Sequence, residues 1–204
     1  ATARFLDQIW DDAMLAALAV VPVFMGLLFR FGVPALDSYL RARLRLPVML
    51  VPYYPIFDLL LIILTPVMFT AAGAMVILTE TDAGIARAVS VTPVGRRGYL
   101  LSRVGVPALA AALYAAGAVA VFGLSGLGAA RVWLLSLCAG VLGAAVALMI
   151  ASMAKNKVEG LAYSKLSGLF VLGLPVALLV PSPMKYLSGI LPTFWMTELA
   201  AGGS

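Results

Sequence analysis

LLLIILTPVMFTAAGAMVILT, residues 59–79, runs for 21 residues without a charged side chain, bounded by Asp58 on one side and Glu80 on the other. An α-helix rises about 1.5 Å per residue, so crossing roughly 30 Å of bilayer hydrocarbon takes about 20 apolar residues. The stretch is one membrane crossing long. Four more uncharged stretches lie around it, Ala13 to Phe29, Val104 to Phe122, Val132 to Ala154 and Leu166 to Met184, of 17, 19, 23 and 19 residues. Lipid offers no hydrogen-bond partners, so the backbone has to satisfy itself. Leu/Ala/Val runs without period-two alternation do this as helices rather than as a barrel. The expected fold class is all-α, a polytopic membrane protein with five transmembrane helices.

Composition leads to the same class: 63% of residues are hydrophobic and 11% charged, against about 45–50% and about 25% in soluble domains. With their flanks, the spans are expected over about 13–33, 56–79, 99–123, 131–154 and 164–182. They form one membrane domain over 1–204, with no long linker or charge block to mark a soluble appendage. Residues 1–12 carry Phe5, Ile9 and Trp10 beside Arg4, Asp7, Asp11 and Asp12, which suits a short amphipathic stretch at the interface. The first apolar stretch follows an acidic pair rather than a basic segment, so it reads as a span and not as a cleaved signal peptide. Beyond Met184, Leu187 to Met196 is apolar but too short to cross and is broken by Gly189 and Pro192. A re-entrant or interfacial segment over about 186–197 is expected there.

The residue inventory excludes several chemistries. Histidine is absent, the one cysteine, Cys138, lies inside the fourth stretch, and the nine carboxylates sit mostly near span ends. Neither a transition-metal ligand set nor an internal disulfide can be assembled from these. No nucleophile and base converge at mid-span, so no catalytic residues, cofactor or nucleic-acid partner are expected of this chain. An ion- or proton-coupled carrier would need ionisable groups deep in the membrane, whereas Asp58 and Lys165 stand only at span edges. A non-transporting assembly subunit is the other alternative that composition allows.

Placing the N-terminus in the cytosol puts eight basic residues inside and six outside, a small positive-inside bias opposed by Arg41, Arg43 and Arg45. Trp10, Tyr99, Trp133, Tyr186 and Trp195 fall near span ends, as interface aromatics do. In the fourth stretch Ala139, Gly143, Ala147 and Ala151 recur every four residues, a small-residue face on which another helix can approach closely. Pro66, Pro107 and Pro175 lie inside the second, third and fifth stretches, where proline removes a backbone donor and tends to kink a helix.

The most specific stretch is ILTETDAGIARAVSVTPVGRRGYLLSR, residues 77–103, which joins the second and third spans. Thr81 or Asp82 is expected to cap a new helix N-terminus. Ile85, Ala88 and Val89 recur at i, i+3 and i+4, and Thr92-Pro93 ends the turn, because the residue before proline avoids the helical region. A two-turn helix of this kind is not stable alone and needs a surface to lie against.

These residues resemble the type-2 ABC exporter permeases. Their cytosolic loop after the second span carries an acidic residue, a glycine, a basic residue and then a Val/Leu-Thr/Ser-Pro-Val-x-Arg sequence. Here the matching positions are Glu80, Gly84, Arg87, Val91, Thr92, Pro93, Val94 and Arg96, followed by Tyr99 and Leu100. A looser match lies in Leu166-Ser167-Gly168, Pro175, Leu191-Pro192 and Trp195. The resemblance implies a permease subunit of an exporter in a bacterial inner membrane, and the largely apolar span faces favour a hydrophobic or amphipathic substrate. Its loop would form a coupling helix docked in a groove of a separate cytosolic ATPase. Ile85, Ala88 and Val89 would pack in that groove, Arg87 would make a charged contact and Glu80 would form the elbow. This chain lacks a GxxxxGK[ST] phosphate loop, so ATP and magnesium would sit on the partner. A second permease, identical or related, would complete the complex in the lipid. Family members usually carry a sixth span.

Overall fold

The computed structural model describes residues 13–44, 50–83, 95–180 and 183–202. Among these the regular structure is helical, and five helical stretches are long and apolar enough to cross a membrane: Val20–Arg43, Val51–Asp82, Arg97–Phe122, Ala129–Met153 and Lys157–Leu179. The first span is built from α1 (Ala13–Leu27), a π-helical turn (Leu28–Gly32) and α2 (Val33–Leu44). The second is α3 (Tyr54–Asp82), entered through a 3-10 turn, Val51–Tyr53. The third comprises α4 (Gly95–Leu100), a second π turn (Leu101–Gly105) and α5 (Val106–Phe122). The fourth is α6 (Ala129–Met153), and the fifth joins α7 (Lys157–Ser167) to α8 (Gly173–Leu179) through a 3-10 stretch, Gly168–Leu172. A further 3-10 segment, Met184–Ile190, leads to α9 (Pro192–Ala201).

α3 lies at the centre, between α5 and α6. Leu59, Ile62, Ile63 and Ala74 of α3, Ala111 and Ala115 of α5, and Leu135, Ala139, Ala147 and Ile150 of α6 have no exposed surface at all. Between helices in lipid the hydrophobic effect supplies no attraction, so close van der Waals approach has to hold them, and small residues permit it. At Gly143 a Cβ would stand 2.9 Å from both the Pro66 carbonyl and the Thr70 hydroxyl of α3. Three residues away, at Gly140, a Cβ would stand 3.1 Å from the Ala108 carbonyl of α5. Gly143 thus faces α3, and Gly140, further around the helix, faces α5.

The threonine hydroxyls of α3, of which those of Thr65 and Thr70 are buried, are satisfied within the helix. Thr65 donates to the Leu61 carbonyl (2.8 Å), Thr70 to that of Pro66 (2.8 Å) and Thr79 to that of Met75 (2.9 Å). Such back-bonding is what a hydroxyl does where no water is available. α3 remains one 29-residue helix through Pro66.

The two π turns share a cause. Arg30–Leu36 and Arg103–Leu109 have the same spelling, R-x-G-V-P-A-L, and in each case the helix widens over the residues just before the proline. Pro34 and Pro107 have no N–H to give to the carbonyls of Arg30 and Arg103 four residues back, and a wider turn accommodates the lost bond. The Arg103 carbonyl is turned toward α3, lying 2.6 Å from where a Cβ on Gly73 would stand.

The helices run past several of the expected span bounds. The first span continues past residue 33 to Leu44, because the π turn absorbs Pro34 and Asp37, 3% exposed, pairs with Arg41 and accepts a 2.9 Å bond from the Leu50 N–H. The fifth helix begins at Lys157 rather than near 164. Asn156 caps it by accepting from the Glu159 N–H (2.9 Å), while Glu159 accepts from the Lys155 N–H (2.9 Å), a reciprocal box of the kind that starts helices. Lys165 therefore lies within a helical stretch. Thr81 and Asp82 form the last turn of α3, with the Thr81 hydroxyl bonded back to Ile77 (2.7 Å), and the helix they are expected to cap lies outside the described residues.

After the fifth span the chain folds back. α9 lies against α8 and reaches α3 and α6, burying Thr193, Phe194, Met196 and Thr197. Gly173 makes this possible, since a Cβ there would be 2.4 Å from the Thr193 hydroxyl and 2.7 Å from the Phe194 nitrogen. Thr193 donates to the Phe170 carbonyl in the loosened middle of the fifth span, and Lys185 pairs with Glu198 at 2.7 Å.

Candidate functional site at the roots of the 84–94 loop

Gly84, Ile85, Arg87, Ala88, Val89, Val91, Thr92 and Pro93 lie outside the described residues, as does the side chain of Arg96. What the structure places is the pair of roots from which their loop springs, the end of α3 and the start of α4.

Glu80 joins the two roots. Its Oε2 accepts from the Tyr99 hydroxyl at 2.7 Å and from Arg103 Nε at 3.2 Å, and its Oε1 is ion-paired with Arg103 Nη2. Both guanidinium contacts come from one side chain, the fork geometry that fits a carboxylate. Tyr99 and Arg103 are four residues apart on one helical stretch, so they meet the acid from the same side. The Glu80 side chain is 15% exposed and that of Arg103 45%, so solvent screens the pair on one side only.

Two backbone approaches stand behind this clamp. The Arg103 carbonyl is seated over Gly73, two turns back along α3. From the fifth span, Gly160 admits the last turns of α3, since a Cβ there would meet Leu78 Cδ1 at 2.5 Å and the Met75 sulfur at 3.2 Å. The second, third and fifth spans therefore converge where the loop leaves the bundle. Tyr99 and Arg103 as partners of Glu80, and Gly73 behind them, are not evident from the sequence. The available signal is an acid on the last turn of one span facing a Tyr-x-x-x-Arg on the first turn of the next.

The small-residue positions lie elsewhere. Ala139 and Ala147 have no exposed surface, Gly143 is buried against α3 and Ala151 is half-buried.

Residues 5–203 match the family described as "Fluoroquinolones export permease protein Rv2686c-like". The chain belongs to this family. Two relatives from Mycobacterium tuberculosis are each 27% identical over 192 residues, covering 93% of this chain and 75% of the relative. They are the "Fluoroquinolones export permease protein MT2760" of strain CDC 1551 / Oshkosh and the "Fluoroquinolones export permease protein Rv2686c" of strain ATCC 25618 / H37Rv. No solved structure matches. Family membership agrees with the likeness to ABC exporter permeases carried by the 80–96 motif. With the five apolar helices, it makes this chain a multi-pass export-permease protein of a bacterial membrane.

Proposed function

We propose that this family member is the membrane-spanning subunit of an ATP-driven exporter, worked through the 80–96 loop by a separate cytosolic ATPase that holds ATP and magnesium. The N-terminus and the loop lie in the cytosol, and a second permease, identical or related, completes the path. Its cargo is hydrophobic or amphipathic, and the drug-export names of the relatives favour that class.

The observation that carries this reading is Glu80 bonded to both Tyr99 and Arg103. A loop rooted in two independently mobile helices would dissipate a push from outside, whereas one whose roots are tied moves them together. Hydrogen bonds to charged groups are worth about 1.5–3 kcal/mol, enough to keep the roots joined under thermal motion. From α3, which touches every other span, displacement spreads to α5 and α6 through the glycine contacts and to α7 through Gly160. Ile85, Ala88 and Val89 fill the partner's groove, Arg87 meets a carboxylate there, and Val91, Thr92, Pro93 and Arg96 return the chain to the membrane surface.

The test is Ile85→Asp, assayed with the co-purified ATPase. The variant inserts normally, but export falls at least tenfold while ATP hydrolysis continues. Export at the parental rate would remove the loop as the transmitting element.

A further inference from the structure

The opposite end of the bundle holds a carboxylate of a different kind. Among the described residues Asp37, Glu80 and Glu198 are each ion-paired, with Arg41, Arg103 and Lys185. Asp58, only 2% exposed, has no basic side chain in ion-pair contact. Its Oδ1 accepts from the Leu124 N–H (2.9 Å), and its Oδ2 from the Ser125 N–H (2.8 Å) and hydroxyl. These bonds fix the turn between the third and fourth spans, which Arg30 also holds by donating to the Gly123 carbonyl at 2.9 Å. Among the described residues no Lys or Arg nitrogen comes within 4 Å of the carboxylate, and one Oδ1 acceptor direction is unused.

Asp58 forms part of the lining of a cavity of about 360 Å³ between α5 and α6, whose other walls include Leu113, Gly117, Val119, Val132 and Trp133. A lone carboxylate in an otherwise largely apolar cleft is a poor site for a hard metal ion, which needs six or more oxygens. It suits an ammonium carried on an apolar body. Coulomb attraction is strong where protein excludes water, and the indole of Trp133 adds a face that attracts cations.

We infer that this cleft is a binding site for a small organic cation, with Asp58 as its counter-ion. The site needs only the bundle, so it stands or falls independently of the ATPase coupling proposed above.

Trp133 emission provides the readout, in purified protein in nanodiscs carrying Trp10→Phe and Trp195→Phe. Benzylammonium quenches it saturably, and benzyl alcohol, its neutral near-isostere, does so at least tenfold more weakly. Asp58→Asn lowers benzylammonium affinity at least tenfold and leaves benzyl alcohol unchanged. Since Asp58 also holds the turn, a second variant guards against misfolding. Gly117 lines the cleft and a Cβ there meets nothing within 4 Å, so Gly117→Leu puts a side chain into the cleft from an open position and abolishes quenching by the cation. Equal quenching by cation and alcohol, or undiminished cation binding in Gly117→Leu, overturns the proposal.

Discussion

The second and fifth spans are both long enough to cross the bilayer, and both carry a proline inside, yet they fold differently. In its most apolar window the second is 67% buried and stays one helix through Pro66; the fifth is 22% buried and breaks into α7, a 3-10 stretch and α8. Helix propensity does not separate them. α3 has neighbours on all sides, with Gly143 of α6 against Pro66 itself, so the turn weakened by the missing N–H is held from outside. The fifth span has α9 against one face and leaves Leu166, Leu169, Leu172 and Leu179 exposed to the surroundings. Neighbours, rather than sequence alone, decide whether a proline is absorbed or becomes a break.

This contrast makes the centre intolerant and the periphery forgiving. Gly143→Leu has the largest expected effect: with the Pro66 carbonyl 2.9 Å from the new Cβ, it costs about 3 kcal/mol, read as a lowered denaturation midpoint in detergent. A midpoint within error of the parent's would mean that α3 and α6 are not in close contact.

Next comes Glu80→Gln, which removes the charge that Arg103 and Tyr99 share and costs about 2 kcal/mol. It also lowers the stimulation of the partner ATPase by the permease, whereas Glu80→Asp restores part of both. Loss of stability with coupling intact would make Glu80 a structural brace only.

A smaller and more local effect is expected of Gly173→Ala, where the methyl group meets Thr193 and Phe194. Loosening α9 at about 1 kcal/mol speeds thiol labelling of Cys138, which shares a groove with Pro192 and Trp195, and lowers the midpoint by less than Gly143→Leu does. A labelling rate equal to the parent's would mean that α9 does not depend on the close approach at Gly173.

The smallest concerns Lys185, whose ammonium is held above the ordinary value of 10.5 chiefly by its hydrogen bond to Glu198. A folded value raised above the unfolded one means the stabilisation is complete below pH 10.5 and is lost as pH rises through the folded value. Trp195 emission, reporting on α9, therefore shifts only above that pH. In Lys185→Gln the shift disappears.

The five crossings were legible because each depends on a local run, Leu59 to Thr79 above all, that needs no knowledge of its neighbours. Their ends were not, because ends are decided by bonds across loops. Asp37 reaches the Leu50 N–H, and Glu80 finds its partners 19 and 23 residues downstream. The Asn156 and Glu159 box was readable and would have moved the start of the fifth helix to its place. Of the loop itself the motif was legible, while the clamp at its roots depended on a side-chain meeting that spacing alone does not reveal. The paired R-x-G-V-P-A-L segments could have been found by comparing the chain with itself, but that they mark widened turns requires knowing where the freed carbonyls go.

The π turn at Leu101–Gly105 sets the rotational phase of the third span. A wide turn holds more than the ordinary 3.6 residues, and each residue in an α-helix advances the direction of its side chain by about 100°. Tyr99 and Arg103 are therefore aimed by a clock that runs differently from the one that aims Ala111 and Ala115 into the core. Deleting a single residue between Leu101 and Gly105 would let the wide turn close to an ordinary one with both halves near their present phase, whereas the same deletion in the regular stretch Val106–Phe122 would swing the loop-bearing half by about 100° and carry the tyrosine away from its acid.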